Sequence, residues 1–379
     1  MRRELASRAP LKTESIDLDE GIGRVLAVDV FADREYPPFP RSMRDGFAVR
    51  AADLPGSLTI IGEVRAGEPA LQQVGPKQCV EIMTGAPVPK GADTVIMVEH
   101  VTRDGDAIVF DRTIETGANI SPHGSECAKG GIVVKKGTRL DYAHIAALAT
   151  VGCMNVCAHA RPAVSIISTG DEVVPASATP LDHQIRNSNS HSLAAQAGAM
   201  VRTTELAPDN EPALHAAIER ALPSDLILFS GGVSAGKYDL VEKVLADFGA
   251  EFFFDRVLIQ PGQPLVFGKV QETFFFGLPG NPASTMVTFE LFAKLALQLL
   301  SGETDPQLQF LLAPLAAPFK HKTGLTRFLP ATLRNGELTP TRWGGSGDVF
   351  AVARSNAFLV ANHDRESWEK GDLMQVLPR

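Results

Sequence analysis

Cysteine is scarce in this 379-residue chain: Cys79, Cys127, Cys153 and Cys157 are the whole complement. Four scattered thiols make no disulfide scaffold, and such usage fits a reducing cytosol. Cys153 and Cys157 stand in CMNVC, with no second pair or histidine cluster at zinc-finger spacing, so no metal signature is read from them. No run of about 18 apolar residues occurs, so no membrane span is expected. The N-terminus, MRRELASRAPLKTESIDLDE, lacks the apolar stretch of a signal peptide. Positive charge is in deficit, with a net charge of −8, which argues against nucleic acid as a partner. A local site can still hold a small anion. There is no dinucleotide fingerprint, no P-loop and no GxSxG elbow, so NAD, P-loop and serine-hydrolase readings are weak.

What is present is apolar enough for several cores, at 44%, and long enough for two to four domains. Gly 33 and Pro 26 are raised together, which suggests many turns and short strands. Residues 14–28 mix helical periodicity with a glycine break, and 36–41, YPPFPR, cannot be helix. From 46 to 115 short alternating strands and turns predict a β-rich lobe. Residues 141–151 predict a helix with Ile145, Leu148 and Ala149 on its apolar face. After Arg161-Pro162 the strands AVSIIST, MVRTTEL, DLILFS and TFFFGL alternate with four helical segments, which argues for a mostly parallel sheet. Asp-Pro at 305–306 marks a linker, and the last ~70 residues predict a small β domain.

Several loops carry chemistry. SGGVSAGKYD (230–239) follows a buried strand and precedes an amphipathic helix. Gly231, Gly232 and Gly236 let such a loop present bare N–H groups to an anion. Asp239 falls in the first helical turn, where it either complements the helix dipole or holds Mg²⁺ beside a phosphate. In LPGNPAS (278–284), Asn281 can cap a helix and Pro282 suits its first position. Pro279 and Gly280 make that loop a rigid wall. STGDEV (168–173) ends the first strand of the sheet, where ligands bind in open α/β folds, so Asp171 and Glu172 are placed to hold a cation. Asn187, Ser188 and Asn189 offer neutral hydrogen-bonding groups, and QPGQP (260–264) adds a rigid turn. In the β-rich half, PPFPRSMRDGFAV places Asp45 in a turn, MTGAPVPKGADTVIMVE places Thr84, and SPHGSECAKGG carries Ser125 and Glu126.

These segments, in this order and over nearly the whole chain, resemble the MoeA family, whose eukaryotic counterpart is the C-terminal part of gephyrin. The resemblance implies a multidomain α/β and β fold: a molybdopterin-binding α/β domain with a mostly parallel sheet, flanked by β-rich domains and a C-terminal small β-barrel domain. It divides the chain into 1–30 plus 116–160 (an elongated linking and dimerisation domain), 31–115 (a β-rich inserted domain), 161–306 (the α/β domain) and 307–379. It implies a cytoplasmic homodimer whose site lies where the β-rich half of one subunit faces the α/β domain of the other. The implied reaction takes adenylyl-molybdopterin and molybdate to molybdenum cofactor and AMP, with a divalent cation such as Mg²⁺. Other proteins of molybdenum-cofactor biosynthesis are implied partners. Asp45, Thr84, Glu126, Glu172, Asp209, Asp239, Pro279 and Pro282 fall on the family's functional positions.

The chain departs from the family pattern in places. GED is Gly124-Ser125-Glu126, a family aspartate is Asn187, PGKP is Pro261-Gly262-Gln263-Pro264, and a nearby lysine aligns with Gln260. Arg256 is the remaining cation expected there. On this reading Glu172 and Asp239 hold Mg²⁺. Backbone donors of Gly231, Gly232, Ser234 and Gly236 hold phosphate or pterin groups. The wall Pro279, Gly280, Asn281 and Pro282, with Arg256 nearby, receives molybdate. Two alternatives stand beside it: a degenerate pterin-binding scaffold or chaperone, favoured by the lysine losses, and the adenylylation of molybdopterin, for which the extra β domains are unneeded.

Overall fold

A computed structural model describes residues 1–8, 11–232 and 240–379. The sequence-derived site residues Ser234, Gly236 and Asp239 lie outside them. The chain forms two compact units, Ser15–Val156 on the one hand and Met1–Glu14 with Cys157–Arg379 on the other.

The first unit is β-rich, as its short alternating runs predict. Its main sheet has six strands in the order 94–97, 46–49, 78–82, 56–64, 107–110, 102–104. Apolar side chains pack on both faces: Phe47, Leu58, Ile96 and Ile108 in one cluster, Ala48, Val80, Ile82 and Val95 in another. The predicted helix is Tyr142–Thr150, closed by a capping box between Asp141 and His144. Leu148 is buried, but Ala149 is exposed and belongs to no core face. The mixed reading of 14–28 resolves as a strand, Thr13–Asp17, and a single 3₁₀ turn, Leu18–Glu20. Of the apolar residues of this stretch, Ile16, Leu18, Val25 and Leu26 are buried, whereas Ile22 and Val28 are exposed, because no helix turns them inward. All four cysteines are free. Burial pushes the Cys79 thiol up to about 12, which makes it an inert core side chain.

In the second unit a six-stranded sheet runs in the order 201–207, 164–169, 226–230, 273–278, 264–270, 251–256. The first four are parallel. The inner three, 164–169, 226–230 and 273–278, are buried at every position because both their faces are covered, whereas the edge strand Val201–Ala207 is largely exposed. Alternate residues feed opposite cores: Val164, Ile166, Leu228, Phe274 and Phe276 face Leu193, Phe289 and Leu297. Ile167, Ile227, Phe229 and Phe275 face Leu214, Ile218, Val244 and Leu245. The last two strands, Pro264–Val270 and Glu251–Arg256, are antiparallel and were not anticipated. Glu251–Arg256 has no fully buried residue, as an edge strand allows, and so shows no clean alternation. The helix over 282–300 is long and apolar enough to cross a membrane by length and composition, although no unbroken apolar run marks it. Two thirds of it is buried inside this unit, the pattern of a core helix. Residues 289–293 of it form a π segment.

The C-terminal strands Thr326–Arg334, Ala357–Ala361, Leu373–Pro378 and Leu311–Pro314 pair in that order. Glu337–Pro340 pairs with the first of them, and Ala316 N–H donates to the Leu338 carbonyl, which closes the ring into a small barrel. Ile259–Gln260, from the turn between the antiparallel strands, pairs with Thr326–Arg327 and ties the barrel to the α/β domain.

Candidate functional site

Strand order reverses at 164–169, whose neighbours 201–207 and 226–230 run to either side. Loops leave the carboxyl ends of 164–169 and 226–230 in opposite directions there, and that divergence opens a crevice. A cleft of about 270 Å³ lies at this point. Ser168 and Thr169 line it from one strand end, Ser230 and Gly231 from the next, and Gly280 to Pro282 from the third. Glu172 and Arg186 supply its charges and Asn187 to Asn189 its neutral wall.

The walls are held by side-chain hydrogen bonds. Ser168 Oγ lies 2.7 Å from Ser190 Oγ. Asn187 donates to Ser190 Oγ at 2.8 Å and accepts the Ser190 N–H at 3.0 Å, while itself buried. A neutral amide at 187 therefore completes a network without burying a charge. Asn189, the first residue of the helix Asn189–Ala197, donates to both Ser230 Oγ and the Gly280 carbonyl, linking that helix start to two strand ends. Thr169 donates its hydroxyl to Asp209 at 3.3 Å. Asp209 is thus behind the cleft wall and Glu172 is on its rim. Gly231 has φ of +87°, and Gly232, with φ of +64°, follows it without lining the cleft. Among the described residues no cluster of three metal-ligating side chains occurs. Among the described lining residues Glu172 is the single acid, so a cation here would draw its remaining ligands from water, substrate or undescribed residues.

Asn281 occupies the N-cap position of its helix, but its side chain makes no capping hydrogen bond. The Ser346 carbonyl, from a loop of the barrel domain, accepts the Ala283 N–H instead. That frees Asn281 to line a second cleft as well. This one, about 300 Å³, has Gln260, Pro261, Gly262, Gln263 and Pro279 on one side, and Leu325, Trp343, Gly345 and Ser346 on the other. None of its described lining residues is charged. Arg256 is exposed on the edge strand opposite Pro264 and lines neither cleft. The far wall was missed in the sequence, where GGSGD reads only as a turn signal.

In the β-rich unit three turns converge. Thr84 donates its backbone N–H and its hydroxyl to Asp45 Oδ1 at 2.6 and 2.8 Å. Arg41 donates to Glu126 at 2.5 Å. Arg41–Ser42 pairs with Ile120–Ser121, and Arg41 also bridges to Pro87. Asp45, Thr84 and Glu126 thus gather in this unit, and Glu172, Asp209, Gly231 and the 279–282 wall gather in the other.

The two Thr84 hydrogen bonds hold the Asp45 carboxyl below its ordinary value. Because the folded value is the lower one, this stabilisation is complete above pH about 4 and is lost as the pH falls through the folded value. Urea midpoints of the parent and Asp45→Asn should differ at neutral pH and converge in acid. A gap of equal size at every pH would show that the ionisation of Asp45 carries none of it.

Comparison with known proteins assigns the parts. Residues 1–152 match the family described as "MoeA N-terminal region (domain I and II)". Residues 165–299 match "Probable molybdopterin binding domain", and 312–378 match "MoeA C-terminal region (domain IV)". The chain is 34% identical to the molybdopterin molybdenumtransferase of Bacillus subtilis, covering 97% of this chain and 90% of that protein. It is 31% identical to that of Staphylococcus epidermidis, over 100% and 94%. A crystal structure of the molybdopterin biosynthesis moeA protein from Pyrococcus horikoshii OT3 superposes with a TM-score of 0.79 at 30% identity, covering 97% and 95%.

Proposed function

This chain belongs to the MoeA family, and we propose on that premise that it is a molybdopterin molybdenumtransferase, converting adenylyl-molybdopterin and molybdate to molybdenum cofactor and AMP. The observation that carries this reading is the cleft at the strand reversal, lined by Gly231, Gly280 and a wall of hydroxyl and amide groups. Such a surface suits a polar heterocycle joined to phosphates. Bare amides meet the phosphates, while hydroxyl and carboxamide groups meet the ring. Glu172 and Asp239 would hold a divalent cation, which supplies charge neutralisation of the pyrophosphate when bound. Asp209, behind the wall, accepts the Thr169 hydroxyl and so fixes that side chain at the edge of the cleft. Backbone donors of Gly231, Gly232, Ser234 and Gly236 hold the phosphates, and the Pro279 to Pro282 wall separates this cleft from the second one. The division proposed for the whole chain is 1–30 with 116–160, 31–115, 161–306 and 307–379.

The testing experiment is molybdate-dependent release of AMP from adenylyl-molybdopterin by the purified chain. Release that ignores molybdate would remove the insertion reading and leave a pterin-binding scaffold in its place.

Molybdate is assigned to the second cleft, beside Gln260 and Gln263. A lysine near a partly buried dianion gains charge-assisted contacts that a neutral amide cannot match. The Gln260→Lys, Gln263→Lys variant should reach half-maximal rate at roughly ten-fold less molybdate or lower still, since even one such contact contributes roughly 1.5–3 kcal/mol. The gain should shrink as salt rises. An unchanged molybdate requirement would move the oxoanion out of this cleft.

The working form is proposed to be a cytoplasmic homodimer, its site shared between subunits, so that Asp45, Thr84 and Glu126 of one act with the α/β domain of the other. Sedimentation should show a dimer at micromolar concentration. A fully active monomer would contradict the shared site.

A further inference from the structure

Among the described residues that line the first cleft, one buried side-chain atom is left without a hydrogen-bond partner. Asn189 donates through Nδ2 to Ser230 Oγ at 2.8 Å and to the Gly280 carbonyl at 2.7 Å. Those two partners fix the orientation of the carboxamide, because the carbonyl of Gly280 can only accept. Its Oδ1 is then a buried acceptor with no hydrogen-bond partner. Four other polar side chains of this wall are committed. Asn187 and Ser168 are tied through Ser190, Thr169 to Asp209, and Ser230 to Asn189. Buried acceptors are expensive to leave unmade, so an orphan in a ligand cleft marks where a ligand donor belongs.

We infer that Asn189 is a specificity-determining residue of the cleft, its Oδ1 accepting an N–H from the heterocyclic ring of the substrate. The inference rests on the reading that the cleft takes a pterin nucleotide. A phosphate at neutral pH is chiefly an acceptor, so it gains nothing from Oδ1, whereas the amino and ring N–H groups of a pterin can donate. The cleft is thereby polarised. The ring lies at the Asn189 side, and the phosphates turn to the backbone N–H groups.

The test uses the full chain and 6-hydroxymethylpterin, an uncharged probe of the ring alone, with inorganic pyrophosphate as the probe of the phosphate side. Affinities are measured by calorimetric titration for the parent, Asn189→Ala and Asn189→Asp. Asn189→Ala should lose about ten-fold in pterin affinity while pyrophosphate affinity is unchanged. Asn189→Asp keeps an acceptor and loses both Nδ2 donations, so it should recover most of the pterin affinity even though it is no more stable to urea than Asn189→Ala. Equal pterin losses in Ala and Asp, tracking their stability losses, would overturn the proposal and leave Asn189 as a structural tie between loops. An Ala variant that binds pterin as the parent does would overturn it as well. Absence of pterin binding by the parent chain would instead remove the functional reading on which the proposal stands.

Discussion

A Gly231→Ala variant is expected to release no AMP and to unfold at a clearly lower urea concentration than the parent. Gly231 turns the chain out of the strand Leu226–Ser230 with φ of +87°. An alanine in the left-handed region costs about 1–2 kcal/mol. The added Cβ would also stand 2.3 Å from the Thr169 carbonyl oxygen, a backbone atom that cannot swing away. Relieving that overlap costs a further 1–3 kcal/mol or so and pushes apart the two strand ends that form the cleft. Gly280→Ala is the matched control. Its added Cβ would meet only the Gly231 Cα, at 3.6 Å, an ordinary contact. A Gly231→Ala protein as stable and active as Gly280→Ala would refute the steric explanation.

Replacing Glu172 by Gln should separate function from stability. The side chain is exposed on the cleft rim, so the change in folding stability should stay within about 0.5 kcal/mol. Removing the charge from a ligand of the proposed cation should lower AMP release by roughly 100-fold at fixed Mg²⁺, at the upper end of what even supporting groups of metal sites contribute. The loss should be relieved in part by raising Mg²⁺, since weakened affinity is its cause. An unaltered rate and Mg²⁺ dependence would make Glu172 an ordinary solvated acid of a turn.

Long apolar runs were the most legible signal. LILFS and TFFFGL could be placed as buried parallel strands because both faces of such a strand meet helices. The glycines and prolines after them marked the loops at the strand ends, and Gly231 and Pro282 were found there. Glu251–Arg256 carries no buried residue and no period-two alternation that would have marked it. Arg256 was expected beside the oxoanion wall on sequence proximity alone, yet strand pairing sets it opposite Pro264 and outside both clefts.

Local chemistry in the sequence determined where the chain turns, which runs are buried, and which loops carry acids, amides and bare backbone N–H groups. The tertiary structure decided which of those groups meet. That Asn189 spends its amide nitrogen on Ser230 and Gly280 and keeps its oxygen unpaired depends on a helix start meeting two strand ends. That Asn281 is released from capping depends on Ser346, 65 positions away, taking the Ala283 N–H. Hydrogen-bond satisfaction is settled across the whole fold. A sequence names the donors and acceptors, and only the packed chain determines which of them remain for a substrate.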